Sequence, residues 1–284
     1  MLKTSPRKYV AEEIIQRNNI NIVGHGEETL LLAHGFGCNQ NMWRFILPYL
    51  CEKYQVVLFD YVGSGRSDFS AYQQDRYHQL EGYALDIIEI CDTLKLTNII
   101  FVGHSISSTI GWIVSVARPD LFSKMVAICP SPCFLNLGKE YQGGFEKTDL
   151  ENLIQLMNKD YIGWGNYLAP MVIGKNLPQT EQSSDNETDT LLQELLTSFC
   201  STDVTYSKPF AEATFFSDYR NMLPSVTHPC LILQSSNDAL VAVDIGKYVQ
   251  RNLQNAKLEI IEANGHCLHM THPMHVLNAI KAFI

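Results

Sequence analysis

Six short runs of consecutive apolar residues recur along the chain, and each has the length of a β-strand. The runs are TLLLAH (29–34), VVLFD (56–60), NIIFVGH (98–104), KMVAIC (124–129), CLILQSS (230–236) and LEIIEA (258–263). Such runs suit strands buried on both faces, as in a parallel sheet flanked by helices. Apolar residues at helical spacing in 80–96 and 107–119 separate some of these runs. The alternation predicts an α/β fold with a mostly parallel sheet.

The alternation stops after the fourth apolar run and resumes at the fifth. The interval carries helical patterns that are rich in aromatic residues, DLENLIQLMNKDYIGWGNYLAPMVI and TDTLLQELLTSFC. An inserted α-helical lid explains this interval most simply. We therefore expect a core made of 1–133 and 206–284 and a lid made of 134–205. Inside the lid, the polar and acidic stretch 180–190 predicts a solvated loop, with a partner-docking surface as the alternative.

The composition narrows the possible partners. The chain has 284 residues, 46% of them hydrophobic, and a formal net charge of −9. It lacks the clustered Lys and Arg that release counterions from a polyanion, which excludes nucleic acid as a partner. No apolar run reaches the roughly 20 residues of a bilayer span, and the N-terminus is too charged for a secretory signal. We therefore expect a cytoplasmic protein without a membrane partner.

Eight cysteines are scattered along the chain without a C-x-x-C pair. Several lie inside the predicted strands, which favours buried free thiols in a reducing compartment. Cys129 and Cys133, in the string CPSPC, come nearest to a redox or metal pair. We interpret them as residues that only fill space at the end of a strand, without a chemical role.

The segment FVGHSISSTIGW places Ser105 between a predicted strand and a predicted helix. A nucleophile elbow has this form, with small neighbours around the serine and the N–H groups of the next helix beside it. The pattern G-x-S-x-G is met except at its last position, where Ser107 replaces glycine. Serine is still small enough for close helix packing. The segment predicts a nucleophile, and an ordinary serine at a helix start is the alternative.

A serine nucleophile needs a general base, and the base needs a carboxylate that orients it. Asp238 follows LILQSSN and His266 follows EIIEANG, so both stand at the carboxyl ends of predicted strands. Their order along the chain, Ser then acid then His, is the order that this architecture uses. We predict a catalytic triad of Ser105, Asp238 and His266. A helix-capping aspartate and a turn histidine are the structural alternatives.

An acyl-transfer site also needs two backbone N–H donors for the oxyanion. Ile106, directly after the nucleophile, is the expected first donor, and Phe36, in HGFG after an apolar run, is the expected second. Aromatic residues in the lid segment predict an apolar substrate pocket, although a helical lid also needs a core of its own. The predicted pocket residues are Phe134, Tyr161, Trp164, Tyr167 and Phe199.

Two other clusters resemble ligand sites. The string GSGRS (63–67) lacks the G-K-[ST] ending of a phosphate loop, so we predict a turn there. Four histidines recur at intervals of three, and on one helix face they could bind Zn²⁺: His266, His269, His272 and His275. Pro273 instead predicts that a helix begins near His272, which leaves His266 on the preceding loop. We therefore predict no metal and no cofactor.

The predicted triad and the strings AHGFG, DYVGSGRSD and GHSISSTIG resemble the α/β-hydrolase superfamily across nearly the whole chain. Longer strings, among them RPDLFSKMVAICPSPCFLN, LILQSSNDALV and GHCLHMTHP, resemble its RsbQ-like branch, which acts in the bacterial sigma-B energy-stress pathway. They resemble the plant karrikin and strigolactone receptors more loosely. The resemblance implies a serine hydrolase with a helical lid over a small hydrophobic cavity. It also implies a signalling role with a PP2C-type phosphatase as partner.

Two functions therefore stay open at the level of sequence. In the first, Ser105 attacks an ester-like or lactone-like carbonyl, and turnover is the biological role. In the second, slow turnover of a bound ligand triggers binding of a protein partner. A serine nucleophile disfavours dehalogenase chemistry, whereas cofactor-free perhydrolysis would use the same residues.

Overall fold

The computed structural model of this chain describes residues 10–175 and 185–284. Its strands in this part of the chain are β1 (Asn21–Val23), β2 (Thr29–Ala33), β3 (Gln55–Leu58), β4 (Ile99–His104), β5 (Phe122–Ile128), β6 (Asn136–Leu137), β7 (Tyr141–Gln142), β8 (Cys230–Asn237) and β9 (Ala256–Asn264). The six predicted strands are all present, as β2 to β5, β8 and β9. The short strand β1 and the β6–β7 hairpin were not predicted from the sequence.

Seven of these strands form one sheet in the order β1-β3-β2-β4-β5-β8-β9. β1 is antiparallel to β3, and every other neighbouring pair is parallel. All six residues of β4 are buried, which accounts for its apolar run from Ile99 to Val102. The register pairs Ala33 with Gly103 and His104 with Ile128, so the loops after β2, β4 and β5 leave the same edge of the sheet. The predicted fold class is confirmed.

The described part of the chain also contains a series of α-helices. They are α1 (Ala11–Arg17), α2 (Leu47–Cys51), α3 (Gln74–Tyr77), α4 (Leu80–Leu94), α5 (Ile106–Ala117), α6 (Lys147–Lys159), α7 (Tyr161–Ile173), α8 (Asp185–Cys200), α9 (Val204–Phe215), α10 (Val243–Asn252), α11 (Leu268–Thr271) and α12 (Pro273–Phe283). The helical spacing in the sequence predicts α4 and α5, and the helical patterns of the lid segment predict α6, α7 and α8. None of the helices in the described ranges is long and apolar enough to cross a membrane.

Four consecutive helices, α6 to α9, stand between β5 and β8 in the chain. Helix α7 packs against α6 and α8, and α6 packs against α9. These helices occupy the segment that the sequence assigns to a lid. The expected lid boundary between residues 205 and 206 falls inside α9, which continues to Phe215.

The acidic stretch 180–190 is predicted to be a loop, but its described part is helical. Residues 180–184 lie outside the described residues, but 185–190 form the first part of α8. This stretch contains no Gly or Pro to interrupt a helix, and it leads directly into an apolar helical pattern. Acidic residues also favour the first turn of a helix, where they interact with its dipole.

The cysteines agree largely with the interpretation as buried free thiols. All eight are free, and six of them are buried. Cys51 is half-buried and Cys200 is exposed, so these two are not core residues. The string GSGRS forms the predicted turn after β3, with positive φ angles at Gly63 and Gly65.

Candidate active site

Ser105 lies at a sharp turn between β4 and α5. Its φ of 55° and ψ of −124° form a backbone conformation that non-glycine residues rarely adopt. The turn also requires a small residue at Gly103, because a Cβ there would lie 2.8 Å from the carbonyl carbon of Ser107. The local sequence therefore builds the strained strand-to-helix turn that a nucleophile elbow requires.

The structure brings the three predicted triad side chains together. His266 Nε2 lies 2.7 Å from Ser105 Oγ, and His266 Nδ1 lies 2.7 Å from Asp238 Oδ2. The other carboxylate oxygen of Asp238 accepts hydrogen bonds from the N–H groups of Leu240 (2.8 Å) and Val241 (3.2 Å). An ionised carboxylate only accepts, so Nδ1 carries the ring proton and Nε2 accepts from the serine hydroxyl. This tautomer is the one that a general base needs.

The loop that carries His266 is attached to helix α7. The backbone N–H of His266 donates to the carbonyl of Val172, 2.7 Å away. Gly174, at the end of α7, approaches the same loop so closely that a Cβ there would lie 2.5 Å from the nitrogen of Gly265. The position of His266 therefore depends on the end of α7 as well as on β9.

The loop after β2 lies beside the nucleophile. A Cβ on Gly35 would lie 3.4 Å from Ser105 Cβ and 2.5 Å from His104 Nδ1, so only glycine fits there. Phe36 follows on this loop, and Ile106 begins α5 directly after Ser105. The two predicted oxyanion donors thus come from two separate elements next to Ser105.

The ring of Phe36 is the centre of an aromatic cluster. It packs edge-on against the rings of Trp164, Phe210 and Phe215, with centroids 5.5–5.9 Å away. Other rings extend the cluster by contacts with Trp164 or Phe215. We call these residues the Phe36 ring cluster: Phe36, Phe134, Tyr161, Trp164, Phe199, Phe210 and Phe215.

Four of the five predicted pocket residues belong to the Phe36 ring cluster, and Tyr167 does not. The side chain of Tyr167 is 59% exposed, so we remove it from the proposed pocket. Tyr161 also ties the lid helices together, since its hydroxyl donates to the carbonyl of Phe199 at 2.8 Å. Phe210 and Phe215 were not predicted from the sequence. They are five residues apart in FAEATFF, which places them about 140° apart around the axis of a helix, so no single-face pattern marked them.

Cys129, interpreted from the sequence as a residue that only fills space, lies close to the triad. It follows β5 with a φ of 47°, and its thiol lies within 4.8 Å of ligand atoms on Asp238 and His266. Burial, together with the nearby Asp238 carboxylate, raises the pKa of the Cys129 thiol well above its usual value. The thiol therefore stays protonated. Cys, Asp and His are metal-ligand types, but here the carboxylate is already held by hydrogen bonds to His266 and to two backbone N–H groups.

The histidine series does not form one helix face. Helix α12 begins at Pro273, as predicted, and His266 lies on the loop before α11. His269 is buried, with its ring centroid 4.5 Å from those of Trp43 and His104. Burial lowers the pKa of His269 to about 3 and the pKa of His104 well below its usual value. Both rings are neutral members of the core.

A family model for the alpha/beta hydrolase fold matches residues 28–273. The chain belongs to the alpha/beta hydrolase family. It is 37% identical to karrikin insensitive 2 receptor CA of Petunia hybrida, over 91% of this chain and 92% of the receptor. It is 32% identical to a strigolactone esterase of Arabidopsis thaliana, over 94% of this chain and 96% of the esterase. The structure of a hydrolase from Oleispira antarctica is similar with a TM-score of 0.91 and 50% identity, covering 97% of both chains.

Proposed function

We propose that this chain is a serine hydrolase of a small hydrophobic compound with an ester-like or lactone-like carbonyl. One observation carries the proposal, namely the continuous hydrogen-bonded series from Ser105 through His266 to Asp238 with two contacts of 2.7 Å. The alpha/beta hydrolase family to which the chain belongs, and its similarity to esterases, support hydrolytic chemistry.

In the first half-reaction, Ser105 Oγ attacks the carbonyl carbon while His266 Nε2 takes the hydroxyl proton. Asp238 holds the imidazole through Nδ1 and stabilises the imidazolium that forms. The carbonyl oxygen becomes an oxyanion, which the N–H groups of Phe36 and Ile106 stabilise. His266 then gives its proton to the leaving oxygen, and the acyl group stays on Ser105.

In the second half-reaction, water attacks the acyl-enzyme, with His266 again acting as base. The acid product leaves and Ser105 is regenerated. The Phe36 ring cluster lies next to the oxyanion loop and supplies an apolar wall, which favours a small hydrophobic acyl group. No step of this cycle needs a cofactor.

Labelling and turnover test this mechanism together. Wild-type protein should hydrolyse p-nitrophenyl acetate, and a fluorophosphonate should modify Ser105, which peptide mass spectrometry detects. Ser105→Ala should lower kcat by about 10³-fold or more, because it removes the nucleophile. Ser115→Ala is the matched control, since Ser115 is also buried on the following helix and its hydroxyl donates to the carbonyl of Trp112. Turnover by Ser105→Ala at the wild-type rate would overturn the proposal.

A second candidate is a ligand sensor of the RsbQ-like kind, in which slow turnover triggers binding of a PP2C-type phosphatase. The similarity to a karrikin insensitive 2 receptor favours it. So do two contacts between the lid helices and the catalytic loops. Val172 on α7 accepts from the N–H of His266, and Ser198 on α8 donates to the carbonyl of Gly37 at 2.9 Å.

Pull-down of a recombinant PP2C-type phosphatase, with and without γ-butyrolactone, separates the two candidates. Capture that rises with the lactone in the wild type, and not in Ser105→Ala, supports a turnover-triggered sensor. Ester hydrolysis together with capture that is equal under all conditions supports the hydrolase alone.

A further inference from the structure

Ser107 stands where the nucleophile-elbow pattern has glycine, and its side chain makes specific contacts. Its hydroxyl lies 2.5 Å from the backbone carbonyl oxygen of His34 and 2.9 Å from the hydroxyl of Tyr61. All three residues are completely buried. Since His34 is separated from Ser107 by more than 70 residues in sequence, the contact joins two distant segments.

The direction of each hydrogen bond follows from the donors available. A carbonyl oxygen only accepts, so the Ser107 hydroxyl donates its single proton to His34. The Tyr61 hydroxyl must then donate to Ser107 Oγ. Burial raises the pKa of Tyr61 above its usual value, which keeps this phenol protonated as a donor.

The ring of His34 is held in the same network. The backbone N–H of Tyr61 donates to His34 Nε2 at 3.2 Å, so the ring proton is on Nδ1. His34 Nδ1 then donates to the carbonyl of Gly35, 2.9 Å away. Burial lowers the pKa of His34, which favours this neutral ring with one donor and one acceptor.

These bonds act on the peptide unit that carries the predicted oxyanion donor. The carbonyl of Gly35 and the N–H of Phe36 belong to the same planar trans peptide, in which they point in opposite directions. His34 Nδ1 and the N–H of Cys38 both hold the Gly35 carbonyl. Fixing that carbonyl therefore fixes the direction of the Phe36 N–H.

We propose that Ser107 is a positioning residue for the oxyanion hole. Its hydroxyl ties the start of α5, which carries the Ile106 N–H, to the loop that carries the Phe36 N–H, and Tyr61 and His34 complete the connection. The two oxyanion donors lie on separate elements that follow the paired strands β2 and β4, and this bond fixes their separation beyond the ends of those strands. The inference rests on the proposed serine-hydrolase function.

Two variants remove the Ser107 hydroxyl in different ways. Ser107→Ala leaves a small side chain, and Ser107→Gly restores the usual residue of the elbow pattern, which guards against misfolding. Ser108→Ala is the matched control, because Ser108 is equally buried on the same helix and its hydroxyl donates to the carbonyl of Gly103 at 3.0 Å. For each protein, kcat and KM are measured with p-nitrophenyl acetate, together with the melting temperature.

The affinity for a trifluoromethyl ketone distinguishes a positioning role from a merely structural one. The adduct that this ketone forms with the serine carries an oxyanion, so its affinity depends on the oxyanion hole. The matching methyl ketone reports ground-state binding. Both Ser107 variants should lose about 10- to 100-fold in kcat, with KM nearly unchanged, since a donor is displaced but not deleted. Affinity for the trifluoromethyl ketone should fall by a similar factor, and affinity for the methyl ketone should not.

Three other results would overturn the positioning role. If the Ser107 variants lose no more kcat and no more trifluoromethyl ketone affinity than Ser108→Ala, the hydroxyl serves packing alone. If Ser107→Gly is as active as the wild type, the bond to His34 is dispensable. If the wild type itself neither hydrolyses the ester nor binds the trifluoromethyl ketone, the proposed hydrolase function is overturned and the positioning role falls with it.

Discussion

The ring of Phe36, on the loop after β2, packs edge-on against the ring of Trp164 on helix α7, with centroids 5.9 Å apart. This contact joins the predicted oxyanion loop to the segment assigned to the lid. Trp164 in turn stacks on Tyr161 and packs against Phe199, and it is 1% exposed. We therefore expect a change at Trp164 to affect the loop that carries the Phe36 N–H.

Trp164→Ala should affect both stability and acyl preference. Removing this buried ring should lower the free energy of unfolding by about 3–5 kcal/mol. The space opened beside Phe36 should shift preference among p-nitrophenyl acetate, butyrate and octanoate toward longer chains. Tyr167→Ala, on the same helix but exposed, should change neither property appreciably. A loss of stability with unchanged preference would assign the Phe36 ring cluster to the core of the lid and remove the pocket hypothesis.

Asp238→Asn should lower kcat by about 10³- to 10⁴-fold while the protein stays folded. The amide cannot replace the carboxylate that holds the proton on His266 Nδ1, so the ring loses its acceptor nitrogen toward Ser105. Steady-state kinetics and a melting curve measure the two properties. Asp244→Asn is the control, because Asp244 is exposed and pairs with Lys247. If Asp238→Asn lowers kcat by less than about tenfold, Asp238 is excluded as the orienting acid.

Gly174→Ala tests the attachment of the His266 loop to α7. Both Gly174 (φ 82°) and Gly138 (φ 67°) have left-handed backbones, so alanine strains each by about 1–2 kcal/mol. Only at Gly174 does the new Cβ also meet backbone, 2.5 Å from the nitrogen of Gly265, whereas at Gly138 it meets nothing within 4 Å. We expect a further loss of about 1–3 kcal/mol at Gly174, together with a fall in kcat. Equal stability and kcat for the two variants would show that the contact does not position His266.

The buried histidines should make stability depend on pH. In the unfolded chain a histidine has a pKa of about 6.5, whereas burial lowers the pKa of His269 to about 3 in the folded protein. Below about pH 6.5 the unfolded chain therefore binds a proton that the folded protein does not. The free energy of unfolding should fall on acidification by up to about 1.4 kcal/mol per pH unit for each such histidine.

His269→Phe isolates one of these groups while keeping a ring on Trp43. Urea unfolding at about pH 7 and pH 5.5 should show a smaller loss of stability on acidification in this variant than in the wild type. His25→Gln, at an exposed site, is the control and should keep the wild-type dependence. An unchanged dependence in His269→Phe would mean that His269 is not a source of acid sensitivity.

Local patterns in the sequence sufficed for six of the seven strands of the sheet, for the elbow and for the chain order of the candidate triad. A strand buried on both faces favours apolar residues, and β4 has four in succession from Ile99 to Val102. The turn at Ser105 depends on small neighbours within two residues. Asp238 and His266 could be placed because the carboxyl ends of parallel strands share one edge. These features need only neighbouring residues and the general rules of parallel sheets.

Helix phase sets which aromatic residues join the Phe36 ring cluster. Tyr161, Trp164 and Tyr167 are spaced three residues apart on α7. Each side chain is rotated by about 60° around the helix axis relative to the one before it, so Tyr167 lies about 120° from Tyr161 and reaches the outer face. The composition of the segment marked its aromatic residues without saying which face each one occupies. Only the packing of α7 against its neighbours selected that face.

Contacts between distant segments were decided by the tertiary structure alone. The bond from Ser107 to the carbonyl of His34, and the closeness of Cys129 to Asp238, join residues far apart in the chain. The sequence by itself determined that Ser107 is small enough for an elbow. The fold decided which acceptor its buried hydroxyl would meet, because a polar group removed from water must find its partner among whatever residues the packing places beside it.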